Sequence, residues 1–195
     1  MAGGAVDRYT VSMTIQGDPD PRADPLAGNR LTLVLGGARS GKSRHAEALV
    51  QTWAAPWIYL ATAQPSDDEM RERIAAHRNR RPDGWITRDE PLDLAGAIRD
   101  APAGAPVLVD CLTLWLTNVM LAGRDVDAAI RELVDTCGDA SGPLVLVSNE
   151  VGLGIVPDNA LARCFRDHAG VLHQRLATQA DRVLFIVAGL SMTVK

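Results

Sequence analysis

Residues Gly36-Gly37-Ala38-Arg39-Ser40-Gly41-Lys42-Ser43 spell GxxxxGK[ST], a pattern that wraps phosphate groups when a strand precedes it and a helix follows. Glycines at this spacing let backbone N–H groups close on phosphate oxygens with no Cβ in the way. A helix starting at the lysine turns its positive end toward the same oxygens. Lys42 would then bridge the outer phosphates of a nucleotide, and Ser43 would bind Mg²⁺. Such chemistry also needs a metal carboxylate, and Asp110 closes the apolar run Pro106-Val107-Leu108-Val109. An Asp there could instead cap a helix starting near Leu112, but the phosphate loop's need for a metal ligand favours the first reading. The chain carries no [NT]KxD guanine-reading sequence. That weakens a regulatory GTPase and leaves phosphoryl-transfer enzymes and ATPases.

A second group with chemical potential lies at 66–81. Ser66-Asp67-Asp68-Glu69 has the spacing of a capping box, so a helix should start there and stop before Pro82-Asp83-Gly84. Met70, Ile74 and His77 share one face of it. Five arginines (Arg71, Arg73, Arg78, Arg80 and Arg81) crowd this stretch in a chain of net charge −4. A triphosphate site requires such a local inversion of charge, and a neutral imidazole is a competent nucleophile toward phosphorus. A solvated basic face with a half-buried histidine would show the same spacing.

The elements that must hold these groups alternate. Apolar, β-branched runs at 31–35, 57–61, 107–109, 144–147 and 182–187 read as strands buried on both faces. Helices are expected near 42–53, 67–80, 93–100, 112–122, 126–137 and 159–179. Alternation of this kind implies an α/β fold with a mostly parallel sheet flanked by helices. Residues 1–30 differ: they hold Pro19, Pro21 and Pro25, four glycines and no hydrophobic period, and they read as a flexible extension. The apolar run of a secretory signal is missing, and Asp7, Asp18, Asp20 and Asp24 are unlike an organelle transit peptide. Met13 is an internal alternative start. The expected organisation is one domain over 31–195, in the cytoplasm.

At 195 residues, 47% hydrophobic and 23% charged, the composition is that of a globular chain. The acidic balance argues against a nucleic-acid binder, and no apolar run is long enough to span a membrane. Cys111, Cys137 and Cys164 are far apart, fit neither a disulfide framework nor a cysteine zinc site, and are expected to be small buried hydrophobes. His45 lies one turn past the phosphate loop. His168 and His173 read as packing or subunit-contact residues. Asn149-Glu150-Val151-Gly152-Leu153-Gly154 follows a strand at the edge where ligands of α/β sheets collect.

In order along the chain, GGARSGKSRHAE (36–47), Leu60-Ala61-Thr62-Ala63, DDEMRERIAAHRNRRP (67–82), SNEVGLGIVP (148–157) and LARCFRDHAGVLHQRLA (161–177) closely resemble the adenosylcobinamide kinase/adenosylcobinamide-phosphate guanylyltransferase family of cobalamin biosynthesis. The resemblance covers 31–195. It implies a P-loop, RecA-like fold, a homotrimer, and a two-step enzyme acting on GTP, ATP, adenosylcobinamide and its phosphate. ATP or GTP phosphorylates adenosylcobinamide; GTP then guanylylates a histidine, which passes GMP to the cobinamide phosphate. The guanylylated histidine falls on His77. The nucleotide-contacting segments fall on Gly36–Ser43, on Ala61, Thr62 and Ala63, and on Arg78, Asn79, Arg80 and Arg81. Asp89 and Asp110 stand where related chains carry Glu, or Glu and Asp; these shorter carboxylates join the expected site, and Glu150 is a substrate-side contact. Two other classes remain open on the residues alone: a P-loop kinase with one activity, and a nucleotide-binding protein without catalysis.

Overall fold

The computed structural model describes residues 30–65 and 68–195. The expected extension at 1–30, apart from Arg30, and the expected helix start at Ser66 lie outside them. Along the chain run β1 (Leu31–Gly36), α1 (Lys42–Val50), β2 (Trp57–Ala61), α2 (Asp68–Arg80), β3 (Trp85–Asp89), α3 (Leu94–Arg99), β4 (Val107–Asp110), α4 (Leu112–Leu121), α5 (Val126–Gly138), β5 (Leu144–Asn149), α6 (Ala160–Gln179), β6 (Arg182–Val187) and β7 (Leu190–Thr193). The strands form one seven-stranded sheet in the order β3-β2-β4-β5-β1-β6-β7. Every pairing is parallel except the terminal β6–β7 hairpin.

The central strands are apolar at successive positions because both faces are covered. Leu31, Leu33, Ile58, Leu60, Val107, Val109, Leu144 and Leu146 pack with α3, α4, α5 and α6 in one cluster. Their neighbours Val34, Tyr59, Leu108, Val145 and Val147 pack on the opposite side with Ala46, Leu49 and Val50 of α1. This is the expected mostly parallel P-loop α/β fold. Strands β3 and β7 are additions to it. Each is short, lies at a sheet edge and carries polar residues (WITRD and LSMT), so neither shows the continuous apolar run that marks the inner strands.

Two caps reveal what the loops at the upper sheet edge are built for. Gly41 caps α1 at φ 96°, with no side chain bonding the first-turn N–H groups. Cys111 caps α4, also without a side-chain bond, so Asp110 is not that helix's cap. Cys137 and Cys111 are buried as expected, whereas Cys164 is exposed. It sits on the outward side of α6, whose inward positions are Ala169, Leu172, His173 and Leu176.

Candidate active site

The phosphate loop links β1 to α1 and is held from three sides. Lys42 is buried and donates from Nζ to the Gly37 carbonyl at 3.2 Å. The Ser40 N–H reaches the same carbonyl at 3.3 Å, and the Ser40 carbonyl accepts from Gly189 N–H at 2.9 Å. Gly189 lies in the β6–β7 turn, where both Ala188 and Gly189 have positive φ. Glu150 N–H donates to the Gly36 carbonyl at 3.0 Å, tying the loop after β5 to the end of β1. Glycine is required at 36: a Cβ there would meet the Ile186 carbonyl oxygen at 2.6 Å and Ser40 Oγ at 2.7 Å. Ser40 Oγ is itself buried without a hydrogen-bond partner. Ala38 and Arg39 form the exposed tip, with Arg39 at φ 56°.

Beside the loop opens a cleft lined by Lys42, Ser43, Tyr59, Ala61, Ala63, Ile74, Arg78, Arg81, Asp110, Cys111, Leu114 and Asn149. Parallel register places Ala61 of β2 opposite Asp110 of β4 and Asp89 of β3, so three strand ends come together. Asp110 accepts a 2.9 Å hydrogen bond from Tyr59 Oη. The Arg81 guanidinium lies 3.6 Å over the Tyr59 ring. Burial, then the Asp110 charge, push the Tyr59 phenol far above its usual range, with Arg81 acting in the opposite direction. Tyr59 therefore remains a donor at every working pH.

Helix α2 supplies the other wall. Ile74 and Arg78 reach the cleft from it, and Arg81 follows its last residue. Arg78 donates to both oxygens of Asp89, at 2.7 and 2.9 Å. Asn79 is exposed. Position 77 falls within α2, one residue before Arg78; the side chains of Arg73, His77 and Arg80 lie outside the description.

Other expected residues do different work. Thr62 is fully buried, and its hydroxyl both accepts from Cys111 N–H and donates to the Cys111 carbonyl, each at 2.8 Å. It braces the chain behind Asp110 rather than lining the cleft. His45 sits in α1, with its imidazole held below the ordinary range by burial first and by Arg182 second. His173 is buried on α6, with Nε2 2.7 Å from Ser148 Oγ and Nδ1 3.8 Å from Glu150 Oε2. Glu150 Oε1 accepts from Gly152 N–H, which shapes the loop after β5.

Of the other residues lining the cleft, Ile74 lies on the helix face and Asn149 in the post-strand segment that the sequence marks, whereas Tyr59, Cys111 and Leu114 were not expected there. Tyr59 alone carried a signal, as a polar-tipped ring inside an apolar strand, because a buried phenol needs a partner.

The family model for cobinamide kinase/cobinamide phosphate guanyltransferase matches residues 32–194. The chain belongs to this family. It is 51% identical over 166 residues to the bifunctional adenosylcobalamin biosynthesis protein CobP of Pseudomonas aeruginosa, covering 84% of this chain and 96% of that one. The bifunctional adenosylcobalamin biosynthesis protein CobU of Salmonella typhimurium is 43% identical over 182 residues, covering 85% of this chain and 99% of the other. Among solved structures, a prototypical ATPase from the type III secretion system of pathogenic bacteria superposes with a TM-score of 0.48 at 14% identity, over 83% of this chain and 56% of that one. Within the family frame, the cleft joins the phosphate loop to the basic α2 segment.

Proposed function

We propose that this cleft carries both reactions of the family: phosphorylation of adenosylcobinamide by ATP or GTP, then guanylyl transfer from GTP to the phosphorylated product. The observation that supports this reading is convergence. Lys42, Ser43, Asp110, Arg78 and Arg81 line one cleft, and the two arginines closely follow the helix position that carries His77.

In the first reaction the loop Gly36, Gly37, Ala38, Arg39, Ser40, Gly41 holds the nucleotide's phosphates through backbone N–H groups, with Lys42 neutralising charge as the γ-phosphoryl group moves to the cobinamide hydroxyl. The donor set fits a hard divalent cation, for which we assign Mg²⁺: a serine hydroxyl (Ser43) and a carboxylate (Asp110) both face the cleft. Among the described residues no group of three or more His, Cys, Asp or Glu could hold a metal. When bound, the cation supplies charge neutralisation at the phosphates.

In the second reaction a nitrogen of neutral His77 attacks the α-phosphorus of GTP. The N–P bond forms, the α–β P–O bond breaks and pyrophosphate leaves. A phosphate oxygen of the cobinamide phosphate then attacks the same phosphorus, the P–N bond breaks, and adenosylcobinamide-GDP is released. Arg78, Arg80 and Arg81 stabilise charge on the phosphates, and Ala61, Ala63, Asn79 and Asp89 complete the nucleotide's surroundings, with Thr62 bracing the Asp110–Cys111 segment from behind.

Residues 31–195 form the catalytic domain in this reading, residues 1–30 are dispensable, and the protein works in the cytoplasm as a homotrimer. No helix among the described residues is long and apolar enough to cross a membrane.

The test is intact mass after incubation with Mg²⁺ and GTP, beside a His77→Ala variant. Wild type is expected to gain one GMP increment and the variant none, while the variant still phosphorylates adenosylcobinamide with ATP. No increment on a wild-type protein that binds GTP would reduce the reading to a kinase. An increment surviving the substitution would move the nucleophile elsewhere.

A further inference from the structure

Tyr59 stands at a junction that the two reactions share. It is 5% exposed, and its hydroxyl is bonded to Asp110 at the cleft wall. Trp85 packs against the ring with centroids 5.8 Å apart in an edge-on arrangement, and the Arg81 guanidinium covers it at 3.6 Å. One guanidinium nitrogen of Arg81, Nη1, is buried with no hydrogen-bond partner, while the guanidinium carbon sits over the ring. Arg81 follows directly on α2, and Asp110 ends β4. A continuous chain of contacts therefore runs from the end of α2 through Arg81 and Tyr59 to Asp110.

A carboxylate offers two oxygens, and free rotation leaves undecided which one meets a cation. Here Oδ2 accepts the hydrogen bond from Tyr59 Oη at 2.9 Å, which fixes the carboxylate plane and makes Oδ1 the oxygen not engaged by the phenol. A hydrogen bond to a charged group is stronger than one between neutral groups, which holds one rotamer against the alternatives.

We infer that Tyr59 is a positioning residue: it orients Asp110 for the metal, and Arg81 stacked on its ring makes that orientation depend on where the end of α2 sits. This rests on the reading of Asp110 as metal ligand. The carboxylate used by the phosphate loop and the segment that carries His77 are thereby set together.

The test uses the full chain and a GTP analogue with a methylene bridge between its α- and β-phosphorus atoms, which cannot guanylylate the enzyme. Calorimetric affinity is measured across a Mg²⁺ series. Tyr59→Phe keeps the ring and its packing; it is expected to raise the Mg²⁺ concentration for half-maximal tightening about 10-fold, with metal-free affinity unchanged. Arg81→Met, which also weakens analogue binding at every Mg²⁺ concentration by losing a phosphate-facing charge, should shift the midpoint in the same direction by less, and the midpoint of the double variant should match that of Tyr59→Phe alone, because the effects on the metal run through one chain. Asp110→Asn separates the two layers. If it leaves the Mg²⁺ dependence intact, the metal-ligand reading falls and this inference with it. If it abolishes that dependence while Tyr59→Phe behaves as wild type, the positioning role alone is overturned. Additive shifts in the double variant would overturn the link through Arg81.

Discussion

Helices α1 and α2 each bring groups to one cleft, but they are held in opposite ways. Ala46, Leu49 and Val50 sink α1 into the sheet's apolar face, at 0%, 8% and 0% exposure. The described side chains of α2 are exposed at Arg71, Glu72, Ala75, Ala76, Arg78 and Asn79, and only Ile74 is half-buried. Among the described side chains, its polar ties to the body sit at its C-terminal end: Arg78 on Asp89, then Arg81 on Tyr59. The phosphate loop is thus built into the core, while the described side chains fasten the α2 segment by a few charged contacts. A helix fixed by exposed pairs can shift at small cost, which would suit the proposed relay of GMP from GTP to a bulky acceptor.

The largest effect should come from breaking the buried side of this comparison. In Gly36→Ala the new Cβ meets the Ile186 carbonyl and Ser40 Oγ at 2.6 and 2.7 Å. Overpacking of this kind costs roughly 1–3 kcal/mol, here borne by the loop itself, so kinase and guanylyl-transfer rates should both fall ~10- to 100-fold. Gly37 sharpens the point, since a Cβ there meets nothing within 4 Å. Thermal unfolding of Gly37→Ala should match wild type in the absence of nucleotide. Equal destabilisation of the two variants would contradict the packing argument.

An intermediate effect concerns the support behind the loop. Burial, the main influence, holds the His173 imidazole below its ordinary 6.5, with the Glu150 carboxylate pulling it upward. The unfolded chain therefore binds a proton that the native chain resists. Stability from this site is complete above the unfolded value and is lost as pH falls below it toward the depressed native value. The melting temperature should drop between pH 7 and pH 5, and His173→Gln should flatten part of that drop, with the half-buried His45 contributing in the same sense. Parallel profiles for wild type and variant would remove His173 from the account.

The smallest effect lies on α2. Asp89 and Arg78 are 64% and 48% exposed, a pairing of the kind that contributes about 0–1 kcal/mol. Asp89→Ala should change denaturant stability by no more than that, and less in high salt. A loss several times greater would mean that α2 is anchored as firmly as α1.

The phosphate loop, its lysine and serine, and the carboxylate ending β4 were readable because each depends on local pattern. Glycine spacing, a strand before and a helix after are properties of neighbouring residues. The five inner strands were readable for the same reason, since burial on both faces writes a continuous apolar run. Strands β3 and β7 were not, because an edge strand is half solvated and WITRD and LSMT carry no such run. Nor could spacing tell that Thr62 braces Cys111, that Cys164 faces outward, or that His173 meets Ser148 across 25 positions.

The sequence by itself determined what chemistry this chain is equipped for and, through its motifs, the family it belongs to. Only the tertiary structure decided which side chains share the cleft. Tyr59, Arg81 and Asp110 lie on separate segments, and their contact depends on parallel register between β2 and β4 and on where α2 ends. Register is set by the packing of both sheet faces together, a sum over distant residues that no local window contains.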